Sequence, residues 1–175
     1  IAYLWARTVR CETPNCGAEI PLARSFWLCK KEKRRRALRH KVVHERGAVP
    51  RVEFEIFEPA TDRDVQPGTV SRAKATCPCC NLTLPPERVR AQLAAQKGGA
   101  DVLFDTHGRR TAGARLLAVV TLKPAEQGRN YRLPASRDYD AVWKAQQQLQ
   151  QVSATRLPND LSPVPDEPLP PIGTL

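Results

Sequence analysis

Two cysteine pairs constrain this chain more than any other feature. The first is Cys11-Glu12-Thr13-Pro14-Asn15-Cys16-Gly17, and the second, about sixty residues on, is Cys77-Pro78-Cys79-Cys80-Asn81. Each reads as a knuckle, a tight turn that brings two thiolates close enough to share one metal. Pro14 and Pro78 stiffen the loops, and Gly17 and Asn81 follow the second cysteine, where the backbone often takes a positive φ. Two knuckles together give the four sulfur ligands of a structural Zn2+. Cys11, Cys16, Cys77 and Cys80 are therefore the expected metal ligands. One such pair alone is a weak signal; two, each with its turn residues, are a strong one.

Other uses of the thiols fit less well. Six cysteines in 175 residues can form disulfides, but residues 1–10 are too short an apolar run for a secretory signal and carry Arg7 and Arg10. A reducing, cytoplasmic setting with metal is the more economical expectation. A redox pair calls for a strand-to-helix context, and no βαβ pattern precedes Cys77. Cys29 is expected to be a small half-buried residue. Cys79 is a substitute ligand for Cys77 or Cys80, although the two-residue spacing favours the outer pair. His40 and His44 are rival ligands, but the spacer from Cys16 far exceeds that of a Cys2His2 finger. They read as two solvated histidines in a basic stretch.

A formal charge of +10 and a pI near 9.7 make a polyanion a plausible partner. The charge is concentrated. Between Lys30 and Lys41 the chain carries eight Lys or Arg against one Glu. Lys30, Lys31, Lys33, Arg34, Arg35 and Arg36 are the expected contacts to nucleic-acid phosphates, against the plainer alternative of a solvated loop. No apolar stretch approaches the length that spans a bilayer, so no membrane partner is expected. Methionine is absent and the chain starts at Ile1, so the sequence reads as an internal piece of a longer protein.

The fold class expected is α+β. Strands are anticipated over 3–10, 25–30, 37–44, 51–57 and 70–75, joined as one small antiparallel sheet that zinc clamps at one end. The clearest is 51–57, where Val52, Phe54 and Ile56 alternate with charged residues. Beyond Cys80 the pattern becomes a small α/β segment with two helices. Pro85-Pro86 and Glu87 open the first, Val89 and Leu93 share a face, and Gly98-Gly99 stop it. Residues 101–113 read as a loop; its Asp105-Thr106-His107 is no catalytic set, being three neighbours without a constellation. Residues 114–122 are nearly all apolar, as in a strand buried on both faces, with 129–133 as partner. A second helix follows over 138–152 with Asp138 near its N-cap. The domains expected are a zinc-ribbon β module with its basic loop at 1–84, the α/β segment at 85–156, and a proline-rich connector at 157–175.

Several stretches resemble a known family. They are Tyr3-Leu4-Trp5-Ala6-Arg7-Thr8-Val9-Arg10-Cys11, Cys16-Gly17-Ala18-Glu19-Ile20-Pro21-Leu22, Arg24-Ser25-Phe26-Trp27-Leu28, Gly68-Thr69-Val70-Ser71-Arg72 and Thr76-Cys77-Pro78. Further along, Val89-Arg90-Ala91-Gln92-Leu93, Gly98-Gly99-Ala100, Arg115-Leu116-Leu117-Ala118-Val119-Val120 and Leu157-Pro158 continue the likeness. Together they resemble the zinc-ribbon-containing adenine-specific DNA methylases that carry an N-terminal domain of unknown function, DUF1156. The resemblance implies a zinc-ribbon insert of a larger Rossmann-like methyltransferase, with S-adenosylmethionine as cofactor of the parent enzyme and DNA and the rest of that enzyme as partners. It places the glycine-rich cofactor motif before this region and Asp-Pro-Pro-Tyr after it. Leu84-Pro85-Pro86 and Leu169-Pro170-Pro171 lack the leading acid and trailing aromatic, so no catalytic residue carries over. A stand-alone nucleic-acid-binding ribbon and a protein-interaction module are the alternative readings.

Overall fold

The computed structural model describes residues 1–122, 128–155 and 162–164. The chain is α+β, with thirteen short strands and two α-helices among the described residues. Two compact units, Ile1–Pro134 and Ala135–Leu175, divide it. The boundary anticipated after Leu84 falls inside the first unit, and most of the proline-rich connector lies outside the described residues.

The strands do not form one sheet. Among the described residues they build five small antiparallel sheets, because each run is short and changes partner where it is interrupted. The anticipated first strand shows how. It breaks at Arg7 into β1 (Ala2–Ala6) and β2 (Thr8–Arg10). The first half pairs with β12 (Arg115–Leu122), while β2 pairs with β3 (Glu19–Pro21) around the first knuckle. β12 is central in its sheet, flanked by β1 and β13 (Arg129–Arg132). Leu116, Leu117, Ala118 and Val119 are consecutive and all buried, as an uninterrupted apolar run demands.

A second sheet joins β4 (Trp27–Cys29), β5 (Arg36–Val43) and β6 (Arg51–Phe57). β5 and β6 form the longest ladder, from Ala37 opposite Phe57 to Val43 opposite Arg51. Alternation on β6 sends Val52 inward and turns Phe54 and Ile56 onto a core of Ala6, Ala23, Phe26, Leu38 and Leu117. His40 on β5 lies in the same region, its ring 5.4 Å from that of Phe26.

Two stretches differ from their sequence reading. Residues 70–75 are not a single strand: β7 (Val70–Ser71) and β8 (Lys74–Thr76) fold into a hairpin through a two-residue turn. Arg72 (φ +48°) and Ala73 (φ +63°) both occupy the left-handed region. Such turns ordinarily announce themselves with Asn-Gly, which is absent here. Residues 101–113 are also a hairpin, β10 (Val102–Phe104) against β11 (Arg110–Gly113). Asp105 shapes its loop. The Asp105 Oδ1 accepts hydrogen bonds from the backbone N–H groups of His107 and Arg109, both at 2.9 Å, so the Asp105-Thr106-His107 trio has a structural duty.

Helix α1 (Pro86–Ala95) starts with proline in its first turn and ends where the Gly98 N–H reaches the Leu93 carbonyl at 2.7 Å. Helix α2 (Ser136–Ser153) belongs to the second unit. Asp138 lies near the N-cap, as the third residue of the helix, and its carboxylate accepts a hydrogen bond from the N–H of the cap residue, Ala135, at 2.8 Å. No described helix is long and apolar enough to cross a membrane.

Candidate metal centre and basic face

Each knuckle is the loop of a β-hairpin. β2 leads into Cys11 and β3 leaves Cys16; β8 leads into Cys77 and β9 (Thr83–Leu84) leaves Cys80. The two loops close alike. The Cys11 N–H donates to Ala18 O and the Cys77 N–H to Leu82 O, both at 2.8 Å. Gly17 (φ +61°) and Asn81 (φ +60°) make the left-handed step after the second cysteine of each loop. Glycine takes that conformation freely, and asparagine is the residue that best tolerates it otherwise.

The four sulfur atoms of Cys11, Cys16, Cys77 and Cys80 lie within 4.8 Å of one another. Cys11 and Cys80 approach to 3.4 Å and Cys16 and Cys77 to 3.7 Å. A tetrahedron with metal–sulfur bonds of about 2.3 Å has edges of about 3.8 Å, so the cluster is of the size that holds one ion. Its surroundings suit a charged four-thiolate group. Backbone N–H groups point at sulfur from Ala18 to Cys16, from Cys79 and Cys80 to Cys77, and from Leu82 to Cys80. Donors of this kind disperse the negative charge left when four thiolates meet a divalent ion.

Acidity differs sharply around the cluster. Burial pushes the Cys16 and Cys77 thiols up. The Thr13 hydroxyl, aided by the Leu82 N–H, brings Cys80 down to about 6. Cys80 is thus the exposed thiol most ready to present a thiolate, whereas Cys77, wholly buried, is an acceptable anion only beside a cation. Thr13 Oγ1 lies 3.3 Å from Cys11 Sγ and 3.5 Å from Cys80 Sγ, bridging the two knuckles. Nothing in the sequence pattern singles out that hydroxyl.

Three of the four cysteines are embedded in a core of their own. Val9, Ala18, Ile20, Ala75, Leu84 and Val89 pack with Cys11, Cys16 and Cys77, and Leu22, Cys79 and Leu93 border them. Cys79 therefore fills space next to the cluster rather than joining the four sulfurs, and burial pushes its thiol up as well. Cys29 is half-buried on β4. His40 and His44 are not among the clustered groups.

Helix α1 is clamped to the first knuckle. The side-chain amide of Gln92 accepts from the Arg10 N–H at 2.7 Å and donates to Arg10 O at 3.0 Å, as a neighbouring strand would. It also donates to Glu12 Oε1 at 2.8 Å, and Arg88 grips both oxygens of Glu12. These hydrogen bonds, Arg88 first, hold the Glu12 carboxyl below its usual range.

The basic run does not act as one unit. Arg36 pairs with Glu58 at 2.7 Å, Arg35 with Asp62 at 3.5 Å, and Lys30 with Asp62 at 3.9 Å while lying 5.1 Å from the centre of the Trp27 ring. Lys31, Lys33 and Arg34 are exposed, around a single 3-10 turn at Glu32–Arg34. Among the described residues no carboxylate stands within ion-pair distance of these three. The structure thus divides the six cations into three that pair with Glu58 and Asp62 and three that are exposed, of which Arg34 also lies against Gly128.

Comparison with family models, with curated proteins and with solved structures finds no match to this chain.

Proposed function

We propose that this chain is a zinc-ribbon module that grips duplex DNA on behalf of an adenine-specific, S-adenosylmethionine-dependent methyltransferase. The observation that carries the reading is the four-sulfur cluster assembled from two hairpin loops in the same compact unit as Lys31, Lys33 and Arg34, exposed cations with no acid at ion-pair distance among the described residues. Zinc is the ion that best suits four thiolates in tetrahedral array, and a closed set of four leaves no position for water or substrate. Its contribution is therefore to folding rather than to chemistry. The link to adenine methylation rests on the sequence resemblance.

In this reading the chain's own residues hold the duplex. Lys31, Lys33 and Arg34 contact backbone phosphates, which fixes position without reading sequence. Lys30, Arg35 and Arg36 keep the loop in shape through Asp62 and Glu58. An enzyme that modifies the adenine amine must take the base out of the stack, and a rigid grip on the flanking backbone supports that step.

The test combines metal analysis with duplex binding across a salt series on the full chain. One zinc per chain, together with a salt slope that falls by about 0.9 for each of Lys31, Lys33 and Arg34 replaced by Gln, supports the proposal. Zinc without duplex binding points instead to a protein-interaction module. A chain that folds without metal removes the ribbon reading altogether.

A further inference from the structure

Away from the basic loop, the segments at 23–25 and 67–70 run side by side and leave an open groove of about 770 Å3 beside the β7–β8 turn. Its walls are fixed. The Val70 N–H donates to Ala23 O at 3.2 Å, and the Ala23 N–H donates to Thr69 Oγ1 at 3.0 Å. The Thr69 hydroxyl in turn donates to Pro21 O, and Ser25 and Pro67 form an isolated bridge. Gly68 admits no side chain, since a Cβ there would lie 2.3 Å from Arg24 O.

Two independent features point to an anionic occupant. The lining carries two arginines, Arg24 and Arg72, together with Ser71, and no acidic residue. Both arginines are exposed, and among the described residues neither has an acid within ion-pair distance. The second feature is strain. Arg72 and Ala73 hold left-handed backbone that L residues adopt at a cost, where Asn-Gly would form the same turn more easily. Strained backbone of this kind concentrates where a side chain must be held in place for a ligand, and the side chain held at this groove is a guanidinium.

We infer that the groove is a phosphate-binding site, in which Arg24, Arg72 and the Ser71 hydroxyl grip one phosphate group. Arginine suits that task because its planar donors match two phosphate oxygens at once. The inference rests on the proposed DNA-binding function only for the source of the phosphate, a backbone phosphodiester distinct from those met by Lys31, Lys33 and Arg34. A free phosphate or mononucleotide is the other source.

The experiment measures duplex DNA binding by anisotropy and inorganic phosphate binding by calorimetry, using the full metal-loaded chain. The variants are Arg24→Gln, Arg72→Gly, and Lys31, Lys33 and Arg34 all replaced by Gln. Each groove variant is expected to weaken the duplex about tenfold at low salt and to reduce the salt slope by about 0.9. Arg72→Gly should also raise the thermal midpoint, because glycine relieves the turn, so binding and stability move in opposite directions. Lowered affinity in a variant that is more stable cannot come from misfolding. If the loop variant weakens DNA binding while Arg24→Gln and Arg72→Gly bind it as the parent does, the groove inference is overturned and the DNA reading survives. If duplex DNA does not bind but phosphate binds and is lost in both groove variants, the site stands with a free ligand and the DNA reading falls. Binding of neither probe overturns the site.

Discussion

Replacing Gln92 tests whether helix α1 holds the first knuckle in place. The Gln92 amide makes a reciprocal pair of hydrogen bonds with the Arg10 backbone at 2.7 and 3.0 Å, at an exposed edge of β2. A neutral hydrogen bond contributes about 0.5–1.5 kcal/mol net. The freed Arg10 groups can turn to water, so the low half of that range applies and the pair contributes about 1–2 kcal/mol. Alanine recovers a few tenths through its higher helix propensity. Gln92→Ala should therefore destabilise the metal-loaded chain by about 1 kcal/mol, seen as a lower denaturation midpoint with unchanged m. Exchange of the Arg10 amide should accelerate in the same variant. Gln92→Glu is the sharper perturbation because it keeps shape and helix propensity. It sets a carboxylate oxygen against Arg10 O and Glu12 Oε1, where the amide had donated at 3.0 and 2.8 Å. At neutral pH it should be no more stable than the alanine variant. A Gln92→Glu chain as stable as the parent at pH 7 would refute the clamp.

Ala73→Gly relieves a left-handed residue that costs about 1–2 kcal/mol, less about 0.5–1 kcal/mol for glycine's extra freedom when unfolded. The net gain is up to about 1.5 kcal/mol in chemical denaturation; a midpoint that fails to rise would show that the turn is unstrained. His40 has a buried Nδ1 without a hydrogen-bond partner, and burial lowers its pKa below the ordinary 6.5. The unfolded chain then binds more protons, so this contribution is intact above pH ~6.5 and lost as pH falls through the folded value. Stability measured from pH 7.5 to 5 should decline, and His40→Gln should flatten that decline. Stripping the metal with a chelator should abolish amide protection around both knuckles and α1 while the β5–β6 ladder stays protected, because the two clusters of buried side chains are separate. Uniform loss across both would show that they fold as one.

What the sequence disclosed follows from how local each signal is. A knuckle is written in a few consecutive residues, so residue type and position were enough to mark Gly17 and Asn81 for positive φ. β6 was legible because a half-buried strand alternates, and β12 because a central strand does not. Pairing is another matter. The break at Arg7 sends β1 and β2 to different partners, and the residues that decide this lie more than a hundred positions away on β12 for one and beyond the knuckle on β3 for the other. The turn at Arg72-Ala73 is illegible in sequence because its residues contradict its backbone, and that conflict between local preference and observed conformation is itself informative.

The basic run carries the same lesson into function. Eight cations within twelve residues suggested one continuous phosphate-binding surface. Asp62 and Glu58, more than twenty residues downstream, take up Lys30, Arg35 and Arg36 and leave Lys31, Lys33 and Arg34 without an acid among the described residues. Charge counted along the chain overstates what a partner meets, since a cation already paired must lose that pair before it contacts phosphate. Exposed pairs are individually weak, so the bracing set can still exchange partners, but each exchange forfeits part of the gain. Substituting Lys31, Lys33 and Arg34 should therefore weaken a polyanion more than substituting Lys30, Arg35 and Arg36, although both triple variants remove the same formal charge. Equal losses would mean that net charge alone governs binding and that the division between the two sets is irrelevant to it.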